Sequence, residues 1–550
     1  MKVFQRLAHA FKAEGVDATF GMMGDGNMFW LHEMHKLGIK VHEVRHEGAG
    51  LGMADGYART SRRVGVATAT CGPGTSQLAT AFVTAARAES PLVAFCGEYP
   101  VGDPEYSQRL DQSAFAHGCE AAFVRMGAAD QADEAVRKAF YIAKTESRPV
   151  LLSVPMDLQQ EQWEDDDPYV PSATMMRPGI VHPDPEMIKR AADMIASAKK
   201  PVIIMGRGAQ WSNAGQAALK LGDRIGALMA TSLLARTYMG DQCEYYAGIS
   251  GNYAHKASMQ LFHDADLVIG VGASLNRYTL ENGYLYPNAK FIQFDTKLQV
   301  LMFGVRTADL YVHSDAKIGV EALEKALAER NFKGTGYRVP GVKEKLAKRA
   351  EDPAEFPIDP GTVDPRKAVM MLDDIMPTTV GMFSGSGMAS GISNMLMMKV
   401  RPLAQSGHFF GCIGQMLPAA MGAMVAIGHK PAMLLDGDAS FMMHLSEWET
   451  AVRYKMPLLV VVMNNEALGA EYYKLDVKNM DVNTSVISCP DLGKVSVAMG
   501  GKGAMVRSLD ELRAAANEWI ANPGPMVIDC RISRTVMSIP YRRLHYGKDE

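Results

Sequence analysis

Short apolar runs alternate with stretches of helical periodicity along nearly the whole chain, the pattern of parallel strands covered by helices. ATFGMM, VGVATAT, PLVAFCG and PVLLSVP are strand-length runs in the first part, PVIIMGRGA, DLVIGVGAS and FIQFDT follow in the middle, and runs ending in LLDGD and VVMNN come last. The opening MKVFQRLAHAFKAEG predicts an amphipathic helix. The expected fold class is α/β, with three doubly wound parallel-sheet domains over residues 1–160, 184–333 and 362–538 and a C-terminal tail at 539–550. Two proline-bearing charged stretches, EQWEDDDPYVPSATMMRPG and VPGVKEKLAKRAEDPAEFPIDPGTVDP, separate them.

Within residues 434–472 two such runs flank a helix, and each ends in polar residues: Asp438 after the first, Asn465 after the second. Two strands joined by a helix make a parallel unit whose carboxyl ends lie side by side, where open α/β sheets bind ligands. One carboxylate and one amide oxygen suit a Mg²⁺ ion that takes water and phosphate oxygens for its other positions. Ser440 follows at the helix start, where a hydroxyl and free N–H groups can hold an anion. The stretch therefore reads as a metal-diphosphate site, and the same residues also suit a helix cap with Asn-Asn in a turn.

Composition narrows the classes. A chain of 550 residues exceeds one core, and its 47% hydrophobic and 21% charged residues are those of an ordinary globular protein. A net charge of -4 gives no basic footprint for nucleic acid. The apolar runs are too short to span a membrane, and the first helix lacks a signal-peptide pattern, so a cytoplasmic location is expected. Cys71, Cys96, Cys119, Cys243, Cys412, Cys489 and Cys530 are scattered without a CxxC pair, which fits packed thiols in a reducing compartment.

Two further segments carry candidate chemistry. In RHEGAGLGMADGYARTSRRVGVATATCGPG, Glu47 heads a helix of small residues that let a backbone or ligand approach closely. A poorly solvated carboxylate there is tunable for acid-base work, and a helix-start glutamate favoured by the macrodipole is the equal alternative. GRGAQWSNAG begins like a glycine-rich nucleotide turn, although a structural turn accounts for it as well.

Taken together, RHEGAG, then CGPG, then DGDAS with NN downstream resembles the thiamine diphosphate enzymes of the acetolactate synthase, pyruvate decarboxylase and benzoylformate decarboxylase superfamily. The resemblance implies a pyrimidine-binding first domain, a central domain and a diphosphate-binding third domain, with the site shared between two subunits of a homodimer or homotetramer. By it, Glu47 matches the glutamate that hydrogen-bonds the aminopyrimidine ring and favours the tautomer that activates the cofactor. Asp438, Asn465 and the carbonyl of Ala467 match the Mg²⁺ ligands, and Gly437, Ala439 and Ser440 match cofactor contacts, with Ala439 replacing the usual glycine. Ile413 matches the bulky residue that bends the cofactor, Gly411 offers its carbonyl to the pyrimidine, and Ser386, Gly387 and Met388 fall where further diphosphate contacts lie.

For the reaction, the resemblance places Asp25 and Glu471 where pyruvate decarboxylases carry acids, and Gln112, with Gln108 nearby, where carboligases and lyases carry a polar side chain. The adjacent His-His pair of the decarboxylases is absent; a solitary His117 reads as a hydrogen-bonded structural histidine. SLNRYTLENG has Thr279 where an aryl decarboxylase has histidine, and it departs from the flavin segment of acetolactate synthases, leaving FAD without a clear motif. The leading expectation is decarboxylation of a small-molecule 2-oxo acid followed by carboligation, acetolactate synthase-like. Simple decarboxylation comes next, then a lyase acting on a 2-hydroxy ketone or 2-hydroxyacyl thioester with YRRLHYGKDE as lid or solvated tail, and most remotely a non-catalytic regulatory subunit. Neither nucleic acid nor membrane is expected as a partner.

Overall fold

A computed structural model of the protein describes residues 1–165, 167–175, 179–236, 238–239, 242–298, 307–348 and 352–546. Among the described residues, three parallel sheets of six strands each follow one another along the chain. The first holds β1 (Ala18–Gly21), β2 (Lys40–Glu43), β3 (Gly65–Ala69), β4 (Leu92–Glu98), β5 (Ala122–Arg125) and β6 (Pro149–Pro155), in spatial order β2-β1-β3-β4-β6-β5. The second holds β7 (Pro201–Met205), β8 (Leu228–Thr231), β9 (Tyr246–Ile249), β10 (Leu267–Val271), β11 (Lys290–Asp295) and β12 (Leu310–His313). The third holds β13 (Gly381–Ser384), β14 (Ala404–Ser406), β15 (Ala432–Gly437), β16 (Leu458–Asn464), β17 (Lys502–Val506) and β18 (Met526–Arg531), in order β14-β13-β15-β16-β18-β17.

The first and third sheets thus share one topology. The middle sheet differs: its order β12-β11-β10-β7-β8-β9 puts the switch point between β7 and β10, the place where doubly wound sheets take nucleotides. There the two glycine-rich loops pack backbone on backbone. A Cβ on Gly206 would stand 2.2 Å from the carbonyl oxygen of Gly272, so glycine is required for the approach.

The central strands are apolar on both faces because helices cover both, as parallel sheets require. β4, β6, β7, β10 and β16 are buried at every position. The opening helix, Val3–Ala13, buries Val3, Leu7, Ala8, Ala10 and Phe11 and leaves its polar face outside.

One hydrophobic core runs without interruption from the first sheet into the third, joining Phe20, Leu51 and Met53 to Leu417, Met421, Phe441 and Trp448. Its seam is the contact between the helix Glu47–Ser61 and the helix Met416–Ala426. Glycines let these helices touch at the backbone: a Cβ on Gly56 would lie 1.9 Å from the carbonyl oxygen of Ala419, and one on Gly422 would lie 1.8 Å from that of Met53. Docking these two helices fixes how the start of the first meets the loops of the third sheet.

The first part of the segment expected as a lid or solvated tail forms a helix held by ion pairs. The helix Ile539–Tyr546 carries Arg542, whose guanidinium is 2.9 Å from Asp352, and Arg543, which pairs with Glu281 of the middle domain. Residues 547–550 of that expected tail lie outside the described residues. Among the described residues no helix is long and apolar enough to cross a membrane.

Candidate functional site

β15 and β16 run parallel with Gly437 opposite Met463, so Asp438 and Asn465 both emerge just past adjoining strand ends. Asp438 begins the helix Asp438–Met443 and is 5% exposed. Burial pushes its carboxyl up to about 6, outweighing the backbone N–H groups of Asp438 and Ala439 that pull it down. Among the described residues it has no direct ion-pair partner; Arg531, which pairs with Asp529 and Glu466, acts on it only at a distance, as a smaller effect than burial.

The Asn-Asn pair divides its work. Asn464 donates to Asp529 at 2.9 Å and accepts from the N–H of Glu466 at 3.1 Å, which commits it to the scaffold. Asn465 accepts from the N–H of Ala467 at 3.2 Å, while its Nδ2 is buried without an acceptor. A Cβ on Gly469 would stand 2.8 Å from that Nδ2 and 3.2 Å from Cβ of Met388, so Gly469 keeps open a narrow space bounded by Asn465 and Met388. Gly387, just before Met388, has φ +77°, a conformation glycine adopts without strain.

The loop carrying Gly411 and Ile413 is tied to this corner. The N–H of Gly414 donates to Oγ of Ser440 at 2.8 Å, and Ser440 also hydrogen-bonds Asp436. Ser440 thus spends its hydroxyl inside the protein. Ser386 does likewise, donating to the carbonyl of Gly407 at 2.9 Å. Gly437 and Ala439 stay partly open, Gly411 is exposed, and Ile413 is half-buried.

At the start of its helix, Glu47 lies against the CGPG turn: a Cβ on Gly74 would be 3.2 Å from Oε1 of Glu47. The turn before it meets the third domain, where Glu447 accepts the N–H of Arg45 at 2.9 Å and the rings of His46 and His444 sit 5.5 Å apart, edge to face. The turn that precedes Glu47 therefore packs against the third domain.

Other expected residues sit differently. Gln112 is buried, but its Nε2 donates to the carbonyl of Gly97 at 2.7 Å, and Gln108 accepts from Cys71 at 3.2 Å. Asp25 is exposed, close enough to raise the Cys71 thiol after the larger effect of burial. Glu471 is exposed and pairs with Lys474 at 3.4 Å. His117 is exposed at the end of the helix Gln112–Gly118, which corrects its reading as a hydrogen-bonded structural histidine. All seven cysteines are unbridged.

Sequence reasoning missed Asp436 and Glu447. Asp436 is fully buried, with its carboxyl pushed up to about 7 by desolvation, and it holds the N–H of Gly437 and the hydroxyl of Ser440. The doubled acid in DGD was the available signal. Glu447 gave none, because its partner lies 402 positions away.

Comparison with known proteins agrees with this layout. Residues 1–115 match the thiamine pyrophosphate enzyme N-terminal TPP binding domain, 188–323 the central domain, and 386–530 the C-terminal TPP binding domain. A probable acetolactate synthase large subunit of Methanocaldococcus jannaschii is 27% identical over 546 residues, covering 96% of this chain and 91% of that protein. An acetolactate synthase large subunit of Haemophilus influenzae is 26% identical, covering 94% and 91%. A sulfoacetaldehyde acetyltransferase of Alcaligenes xylosoxydans xylosoxydans is 28% identical, covering 92% and 88%. Matched in chain order onto two like sheets and a different one between them, these domains make the chain a member of the acetolactate synthase-like superfamily of thiamine pyrophosphate-dependent enzymes.

Proposed function

We propose that the enzyme binds thiamine diphosphate with Mg²⁺, removes the carboxylate of a 2-oxo acid and joins the remaining acyl fragment to a second carbonyl compound. The observation that carries the cofactor part is the buried Asp438 carboxylate, without a contact ion pair among the described residues, beside the Asn465 amide at adjoining strand ends. With the carbonyl of Ala467 they offer the hard oxygen set that suits Mg²⁺ completed by water and phosphate oxygens. Such a cation would favour the ionised form of the buried Asp438, and Nδ2 of Asn465 has a donor to spare for a phosphate oxygen. Gly437, Ala439 and Ser440 on one side and Ser386, Gly387 and Met388 on the other would border the diphosphate.

When bound, the cofactor supplies a nucleophilic carbon and a sink for the electron pair left by the departing carboxylate. The chain positions and protonates. Glu47 would hydrogen-bond the edge of the pyrimidine ring, the Gly411 carbonyl would accept from its amino group, and Ile413 would pack against the cofactor. No flavin is needed for this reaction, and none is assigned.

Two facts favour ligation over release of an aldehyde. The relatives' names include acetolactate synthase and sulfoacetaldehyde acetyltransferase. Within one chain, Asp25 and Glu471 face solvent and Gln112 is committed to the Gly97 carbonyl. Simple decarboxylation keeps one supporting observation, the closeness of Asp25 to the CGPG turn through Cys71.

We further propose that two copies share each site. Met23, Phe410, Met442 and Met443, from the first and third domains, are 50%, 39%, 40% and 58% exposed, apolar surface that a second copy would cover. The free thiols suit a reducing cytoplasm.

The deciding experiment is product analysis by NMR after incubation with thiamine diphosphate, Mg²⁺ and a panel of 2-oxo acids, with and without aldehyde acceptors. Hydroxyketones or 2-hydroxy-2-alkyl acids are expected. Aldehyde as sole product overturns the ligation reading and leaves the decarboxylase one.

A further inference from the structure

A cavity of about 290 Å³ lies where all three domains meet, away from the Asp438 corner. Its wall includes Arg59 from the first domain, Arg207 and Trp211 from the middle one, and Phe409 and Lys430 from the third, with Arg62 at the mouth. None of its lining residues is acidic. Two carboxylates stand behind the wall: Asp55 pairs with Arg59 at 2.8 Å, and Glu89 is 3.7 Å from Arg207 and also engages Lys297 at 3.2 Å. Arg62 donates only to the carbonyls of Trp211 and Gln210, and among the described residues neither it nor Lys430 has a carboxylate partner. The cavity therefore holds a surplus of positive charge.

The arginines are held ready rather than loose. Phe409 sits between the guanidinium groups of Arg59 and Arg207, each 5.0 Å from its ring, and Arg207 also covers Trp211 at 4.9 Å. Stacking fixes the planes of these groups, and Arg207 is further held by donating to the carbonyl of Ala88 at 2.6 Å, so that an anion would meet only the donors these contacts leave over. Nε of Arg59 is buried without an acceptor, a further sign that donors outnumber acceptors here. Planar guanidinium forks from separate domains recognise an oxyanion bidentately, and an ammonium adds a point charge.

We propose that this junction binds a phosphate-bearing anion, and that binding braces the three domains and the segment from Phe409 to Gly411. The volume is at the lower limit of ligand pockets, which fits inorganic phosphate or a small phosphate ester and excludes a dinucleotide. Because Phe409 lies two residues before Gly411, an anion that tightens the stack also steadies the loop leading to Ile413.

The test uses the full-length enzyme saturated with thiamine diphosphate and Mg²⁺, so that the cofactor's own phosphate site is filled. Sodium phosphate is titrated at constant ionic strength against sodium chloride, with binding read by calorimetry and by the melting temperature. A saturable response to phosphate alone is expected, weakened at least tenfold in R62Q/K430Q and changed less than threefold in the charge-conserving R62K/K430R. The exposed single change K430Q should weaken it at least threefold without altering the melt in the absence of phosphate. Glycerol phosphate and AMP arms show whether the anion is free phosphate or an ester, the tighter ligand naming the source. An equal response to chloride, no saturable response, or undiminished affinity in both R62Q/K430Q and K430Q overturns the proposal.

Discussion

The carboxylate of Glu447, in a helix of the third domain, accepts the backbone N–H of Arg45, two residues before Glu47. Glu447 is fully buried; burial raises its pKa, and hydrogen bonds from Thr450, Arg45 and His46 oppose that rise. The Arg45 guanidinium turns away to Glu449 at 2.7 Å, so the contact with Glu447 is made through the peptide chain alone. A carboxylate that gathers main-chain N–H groups fixes the turn itself. The position of Glu47 is thus set by the third domain.

Replacing Glu447 by leucine leaves those N–H groups buried without acceptors, a cost of about 1–3 kcal/mol. It also releases the turn that aims Glu47, and misplacement by an ångström can cost a hundredfold in rate. We expect E447L to lower kcat by roughly 10- to 100-fold, with a smaller change in KM, and to lower the urea midpoint. A lower midpoint with unchanged kcat would make Glu447 structural only.

Metal binding should depend on pH through Asp438. Burial raises its carboxyl to about 6, and a cation needs it ionised, so protons compete below that pH. Mg²⁺ affinity should fall about tenfold per pH unit below pH 6 and be flat above about 7. For the metal-free protein the sign is opposite. A folded pKa above the ordinary 3.8 means that the folded state holds the proton more tightly than the unfolded chain. Stability is then present at low pH and lost as pH rises from about 4 to 6, by on the order of 3 kcal/mol. Melts of wild type and D438N with and without Mg²⁺ check both signs. Equal Mg²⁺ affinity at pH 5 and 7.5 would refute the assignment.

What could be read from the chain follows physical lines. Central strands such as β4, β10 and β16 are apolar on both faces, so a run of four to seven residues announces each. Edge strands do not: Lys40–Glu43 is half-exposed and polar, and Lys502–Val506 is partly exposed along most of its length. The Asp438–Asn465 juxtaposition was legible because strand ends are local and topology brings them together. The internal use of Ser440 and Gln112 was not, since their partners Gly414 and Gly97 come from other segments. Nothing in the sequence marks a cavity assembled from Arg59, Arg207 and Lys430, which meet only when three domains have docked.

The docking seam itself is exposed to a single-methyl test. Gly56 meets the Ala419 carbonyl and Gly422 meets the Met53 carbonyl, each at a separation no Cβ can occupy. G56A must push the helices Glu47–Ser61 and Met416–Ala426 apart, and overpacking of this kind costs about 3 kcal/mol. Since the shift moves Glu47 relative to the third domain, activity should fall before global unfolding. The first transition of a thermal melt should drop by several degrees and coincide with loss of turnover. A melt indistinguishable from wild type would mean that the seam yields without cost.

Sharing of the site between copies can be separated from its chemistry by mixing two inactive variants. E47Q removes the carboxyl proton relay and should lower turnover by roughly 10²- to 10⁴-fold, the usual worth of a positioned acid-base group, while leaving folding intact. D438N removes the ionisable metal ligand and should abolish Mg²⁺-dependent cofactor retention. If Glu47 of one copy completes the Asp438 site of another, a mixed dimer carries one doubly defective site and one intact site. Random exchange makes half of the dimers mixed, so activity should recover to about a quarter of wild type. If both residues serve the same chain's site, every site in the mixture carries one defect and nothing recovers. Turnover measured before and after co-incubation under exchange conditions, with dimer formation followed by light scattering, distinguishes the two arrangements.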